Sequence, residues 1–138
     1  MSRREIATSA APAAIGPYSQ AIESDGLVFC SGQLGLDPVT GNLLEGIEDQ
    51  TERALLNLEA VLAEASLTMA DVVKTNIFLV DLSDFAKVNA IYSGHTVEPA
   101  PARSTVQVSA LPRSALIEID AVARRSQLAD AVAGPSTR

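Results

Sequence analysis

The chain has 138 residues, enough for one domain that buries about two-thirds of the surface its unfolded chain would expose. Hydrophobic residues make up 47% and aromatics only 4%, with no Trp, and the formal net charge is −7. The core must therefore be aliphatic, and a nucleic-acid partner is disfavoured, because neutralising phosphates needs a basic face and stacking bases needs aromatic ones.

No apolar run approaches the eighteen or so residues of a membrane span. The N-terminal stretch has Arg3 and Arg4 but lacks the continuous apolar segment of a secretory signal. The single cysteine, Cys30 in "LVFCSG", has no internal disulfide partner and reads as a buried, inert thiol. Together these features predict a cytoplasmic protein without membrane association.

In chain order, "PYSQAIESDGLVFCSGQLGLD" carries a Ser-Asp-Gly turn signal at Ser24 to Gly26 between two extended runs, a hairpin pattern. "DPVTG" at Asp37 to Gly41 is a turn. From Ile47 to Ala65 the apolar period becomes helical through Ala54, Leu55, Leu58, Val61 and Leu62, with Glu48, Asp49 and Glu52 near the start, where the helix dipole favours them. "DVVKTNIFLVDL" reads as a strand with Val73, Thr75, Ile77 and Leu79 on one face. A second helix follows, with Ser83 as N-cap, Leu82 as hydrophobic staple and Phe85, Val88 and Tyr92 on one stripe.

"PARSTVQVSALPRSALIEIDAVARR", Pro101 to Arg125, reads as a closing antiparallel hairpin turned near Pro112 and Arg113. Ile117, Ile119 and Ala121 form its apolar face, and Arg103, Glu118 and Asp120 are charges on strand positions. Residues 1–124 are expected to form the single domain, and 125–138 a flexible tail. Strands, helix, strand, helix and strands predict a two-layer α+β sandwich, a mixed sheet with both helices on one face. Its other face would call for an oligomer to bury it.

Metal catalysis and a Ser-His-Asp triad are disfavoured by the presence of only one histidine, His95, which is expected to be a solvated loop residue. There is no GxGxxG or Walker A sequence, so Gly32 and Gly35 are expected at a bulge or a close backbone approach. Tyr18, the strand-end residues Ser31, Gly32 and Gln33, and Asn89 beside the second helix's apolar stripe could join Arg103 and Glu118 in a small anion pocket. In the expected hairpin Glu118 lies opposite about Gln107, four positions from Arg103 on the same face. That is roughly 13 Å, too far for one small molecule to touch both. A shared site would therefore take the two residues from different subunits.

The segments "IGPYSQA", "FCSGQLGLD", "DFAKVNAIY", "PARSTVQVSALPR" and "IEIDAVA", in this order, resemble the Rid family, also called YjgF. The resemblance implies a chorismate-mutase-like fold with a six-stranded sheet, assembled as a homotrimer with sites between subunits. It also implies hydrolysis of 2-imino or enamine acids to 2-keto acids and ammonia, which protects pyridoxal-phosphate enzymes, with no cofactor of its own. In that family's terms Arg103 would grip the substrate carboxylate and Glu118 would activate the attacking water. Tyr18, Ser31, Gly32 and Asn89 would line the pocket, and Thr105 would face it through its backbone.

Two positions depart from the family pattern: Thr105, where cysteine is frequent, and His95-Thr96, where a Phe-Phe pair is common. The alternatives within the resemblance are a trimer that only binds small carboxylates and a ribonuclease. The pairing of Arg103 with Glu118 favours the enzyme over the first, and the charge of −7 disfavours the second.

Overall fold

The computed structural model describes residues 2–126. Strands β1 (Arg4–Ile6), β2 (Ala21–Ser24) and β3 (Leu27–Leu34) lead into helix α1 (Ile47–Glu64). Strand β4 (Val72–Leu79), helix α2 (Phe85–Ser93), strand β5 (Ala102–Gln107) and strand β6 (Ile117–Arg124) complete the order. The six strands form one mixed sheet ordered β1-β2-β3-β6-β4-β5.

The β2-β3 hairpin turns through Asp25 and Gly26, both at positive φ, as a two-residue loop matched to strand twist requires. Helix α1 follows the predicted period, and Leu55, Leu58, Val61 and Leu62 are fully buried against Val28, Ile117, Ile119 and Ala123 of the sheet. Each such side chain contributes about 1.5–3 kcal/mol relative to exposure. Residues from α1 and α2 both cover the sheet face that carries Thr75, Ile77 and Leu79.

Three local expectations change. The register shifts between Val72 and Lys74, so Val72 is buried and Val73 turns outward, the reverse of the expected alternation. Ser83 is not the N-cap of α2: it lies in a short 3-10 turn, Leu82–Asp84, capped by the Asp81 carboxylate, which accepts from Ser83 N. The stretch Pro101 to Arg125 is not a hairpin. β5 lies parallel to β4 at the sheet edge, whereas β6 inserts antiparallel between β3 and β4. Strand β4, helix α2 and strand β5 form a βαβ unit, the connection that a parallel pair needs.

Strand β1, which the sequence pattern did not announce, pairs with β2 and brings Arg4 to Glu23. Glu23 also accepts two bonds from Arg125, at 2.8 Å each. The Arg125 hydrogen bond, assisted by Arg4, holds the Glu23 carboxyl down at about 2. Arg125 is thus tied to the sheet; the remainder of the expected tail, from residue 127, lies outside the described residues. Cys30 is buried, and burial, followed by the charge of Asp120, pushes its thiol up to about 12. Among the described residues no helix is long and apolar enough to cross a membrane.

The sheet face away from the helices keeps apolar side chains in solvent, with Phe29, Val73 and Val106 each close to half exposed.

Candidate active site in two halves

The predicted site residues fall into two groups on opposite faces of the sheet. On the helix-covered face, α2 presents Phe85, Asn89 and Tyr92 at spacings of four and three, one side of the helix, to Arg103 on β5. The guanidinium lies 5.4 Å from the Phe85 ring centre and 5.1 Å from that of Tyr92. Its Nη1 donates to Asn89 Oδ1 at 2.7 Å. The Tyr92 hydroxyl is fixed in turn by the Thr75 hydroxyl of β4 at 2.7 Å, in the core. Two rings and one amide therefore orient the guanidinium and leave most of its donors unspent. A guanidinium held this way is able to give a carboxylate two parallel N–H bonds from one planar fork.

Thr105, two positions along β5, shares the face of Arg103. Among the described residues its Oγ1 is the buried side-chain polar atom without a hydrogen-bond partner.

The other half lies on the open face, at the β3-β6 junction. Between Cys30 and Gln33 the β3 register slips by one residue against β6, a bulge that contains Ser31 and Gly32. The bulge borders a cavity of about 280 Å³ whose walls include Tyr18, Ser31, Gly32, Leu34, Pro112 and Glu118. Glu118 stands between Leu34 of β3 and Phe78 of β4. Burial among these neighbours, reinforced by the charge of Asp120, raises its carboxyl above the usual glutamate range. A Cβ on Gly32 would overlap the Glu118 carboxylate, so glycine at 32 is what makes room for the acid. Gly35 fulfils the other half of the glycine expectation, since a Cβ there would strike the backbone of Gln50 in α1.

Ser31 is spent on structure. Its N–H donates to Gln20 O at 2.9 Å and its hydroxyl to Ser19 O at 2.6 Å, so it holds the segment that carries Tyr18. Gln20, which the sequence did not single out, is buried and binds Thr8 N through Oε1. Its Nε2 donates to the carbonyls of Thr8, Ala11 and Pro12, fixing the N-terminal segment that walls the cavity. Its signal was available only as a glutamine in an apolar strand lead. Pro112 is placed by Arg113, whose Nη2 donates to Gly41 O at 3.0 Å, and by Leu116 N, which donates to Gln50 Oε1 at 2.8 Å.

Arg103 and Glu118 are not on one face, as the hairpin reading had them. Arg103 sits opposite Thr75 of β4 and Glu118 opposite Phe78, on alternate faces, and Glu118 is not beside Gln107. They are separated by roughly 10 Å along the strands and roughly 10 Å more across two strand spacings.

His95 is also corrected. Rather than standing in solvent, its side chain is 13% exposed, with Nδ1 2.6 Å from Glu59 Oε2 and Nε2 2.8 Å from Glu52 Oε1. Among the described residues no group of His, Cys, Asp and Glu could hold a metal ion.

A mixed six-stranded sheet under two helices, with a ring-framed arginine at one edge and a desolvated glutamate beside a bulge, defines an α+β protein with two candidate half-sites. Residues 8–125 match the family described as Endoribonuclease L-PSP. The chain is 46% identical over 122 residues to the 2-iminobutanoate/2-iminopropanoate deaminase of Mus musculus, covering 88% of this chain and 90% of that one. The crystal structure of RidA from Psychrobacter sp. PAMC 21119 superposes with a TM-score of 0.86 at 45% identity, over 88% of this chain and 98% of that one. That of E. coli TdcF with bound serine gives 0.84 at 39% identity, over 89% and 99%. The chain belongs to the Rid (YjgF) family.

Proposed function

We propose that the protein is an imine deaminase: it hydrolyses 2-imino acids, or the enamines in equilibrium with them, to 2-keto acids and ammonia, sparing pyridoxal-phosphate enzymes from these intermediates. The observation that carries this reading is the division of labour between two prepared groups, a ring-seated Arg103 with open donors and a desolvated Glu118 beside a small cavity. The names of the mouse deaminase and of RidA support the reaction class, and the serine in TdcF supports a ligand the size of a small amino acid.

The geometry asks for a second copy of the chain. Within one chain the two halves lie on opposite sheet faces, so a ligand held by Arg103 of one subunit would meet Glu118 of its neighbour. A homotrimer packed through the apolar open face, where Phe29 and Val106 are half exposed, would bury that face and join the halves.

In such a site the substrate carboxylate binds Arg103, with Thr105 contributing backbone groups and Tyr18 and Gly32 closing the pocket. Glu118 takes a proton from a water as its oxygen attacks the iminium carbon. Glu118 then passes that proton to the carbinolamine nitrogen and takes the hydroxyl proton as the C–N bond breaks, so the keto acid leaves with ammonia, which carries the remaining proton away as ammonium and returns Glu118 to its carboxylate. An iminium carbon is already electrophilic, so a positioned water and a carboxylate base suffice. Retention of Glu118 in this desolvated position supports the enzyme over a pure carboxylate binder. The net charge of −7 weighs against a ribonuclease.

The test generates 2-iminopropanoate and 2-iminobutanoate with an amino-acid oxidase and traps surviving imine with semicarbazide. The expected result is loss of trapped imine with the wild-type protein and not with Arg103→Ala; equal trapping with and without the wild-type protein would overturn the reading.

A further inference from the structure

The loop after α2 contains a contact that neither the fold nor the proposed reaction has used. His95 follows α2 by two residues, and its N–H donates to Tyr92 O at 3.0 Å, so it is one helical turn from the ring that supports Arg103. Both ring nitrogens face carboxylate oxygens on α1, Nδ1 toward Glu59 at 2.6 Å and Nε2 toward Glu52 at 2.8 Å. Carboxylates only accept, and a neutral imidazole has a single N–H. The neutral ring would therefore set a lone pair against an anion, and only the imidazolium satisfies both contacts.

Glu52 and Glu59, two turns apart on α1, clamp the ring from both sides. The other residues around the cavity beside it, Ala63, Leu67, Thr68, Met69, Ala70, Gly94 and Val97, carry no charge. Burial disfavours the charged ring, but the hydrogen bonds it donates to Glu59 and Glu52 outweigh it, and the net displacement of its titration is upward.

We propose that His95 is a positioning residue for the carboxylate seat: its imidazolium, clamped between Glu52 and Glu59, fixes the C-terminal end of α2 against α1 and with it the Tyr92 and Asn89 that hold Arg103. The proposal rests on the reading of Arg103 as the carboxylate-binding group. The clamp is intact while His95 is protonated. As pH rises through its elevated titration the second contact turns repulsive, the end of α2 loosens, and the guanidinium loses its fixed orientation. Carboxylate binding then weakens on the alkaline side, in addition to any effect on chemistry.

Because His95 is the only histidine, its imidazole resonance is unambiguous in an NMR titration. The experiment follows that resonance and the guanidinium carbon resonance of Arg103, assigned with Arg103→Lys, across the same pH series. It requires no substrate, so it stands apart from whether the protein turns over imines. In the wild type both resonances should titrate with one midpoint above the ordinary histidine value of about 6.5. Affinity for 2-oxobutanoate should fall several-fold across that midpoint. In His95→Gln the Arg103 resonance should be flat over this range. In Glu59→Gln, which keeps the imidazole and guards against a folding defect in the first variant, both midpoints should move down together. An Arg103 resonance that ignores the His95 titration in the wild type, or that titrates unchanged in His95→Gln, would overturn the proposal.

Discussion

Arg103 and Glu118 stand on opposite faces of one sheet, on strands that both neighbour β4 but in opposite senses. No side-chain rotation brings the two onto one small ligand. A complementation experiment follows from this relationship. Arg103→Ala and Glu118→Gln should each be inactive alone, yet activity should return when the two are co-expressed or unfolded and refolded together. In random mixed trimers about one site in four would receive both intact residues. No recovery from properly assembled mixtures would show that the two residues do not meet in a site between subunits and would remove the case for a shared one.

Glu118 is the base in the proposed chemistry, and its burial and the nearby Asp120 raise its titration above the usual glutamate value. The carboxylate form is the active one, so turnover should rise with pH through that elevated value and fall as the acid protonates below it. Glu118→Gln should cost about 10²–10⁴ in turnover, the range of a general base, and leave 2-oxobutanoate affinity near wild type. Asp120→Asn removes the second cause of the shift, so the acidic limb of its pH-rate profile should move to lower pH. A limb that stays in place would show that Asp120's charge does not reach Glu118 in the assembled protein.

Helix α1 and the Asp25-Gly26 hairpin were legible because their signals are local: an apolar period of 3.6 and a dipeptide suited to positive φ. The strands β5 and β6 were legible as strands but not as partners. Their proximity in sequence suggested a hairpin, whereas the nine residues from 108 to 116 let β6 travel to a slot between β3 and β4, and the helix before β5 marked a parallel crossover. Within the site, Phe85, Asn89 and Tyr92 could be read as one helix side, and Arg103 and Glu118 as charges on strands that needed a reason. The His95 clamp was hidden, since its partners lie 36 and 43 residues away on another helix. Gln20 was hidden for a similar reason: its partners are backbone groups of a loop with no period.

Gly32 tests whether the bulge serves the acid or merely the sheet. A methyl group at 32 would overlap Glu118, while the bulge backbone itself has no positive φ to protect at that residue. Gly32→Ala should therefore fold and retain carboxylate binding at Arg103, but turn over imine at least tenfold more slowly because the Glu118 carboxylate is displaced. Measuring kcat beside 2-oxobutanoate affinity separates these. A variant that loses affinity and keeps turnover would assign Gly32 to substrate contact instead.

Thr105 carries a buried hydroxyl dipole that nothing in the chain satisfies among the described residues. Its Oγ1 is buried without an acceptor, and an unsatisfied buried hydroxyl costs about 1–3 kcal/mol. Thr105→Val keeps the branched shape that suits an edge strand and removes the orphan, so it should raise stability by about 1 kcal/mol, a shift of several degrees in Tm. Its imine turnover should be near wild type, because the proposed role of residue 105 is through its backbone, which valine preserves. A valine variant that is less stable would mean that the hydroxyl finds an acceptor on a neighbouring subunit. One that is stable but weak in carboxylate binding would place the hydroxyl in the site, two residues along the same sheet face from the guanidinium.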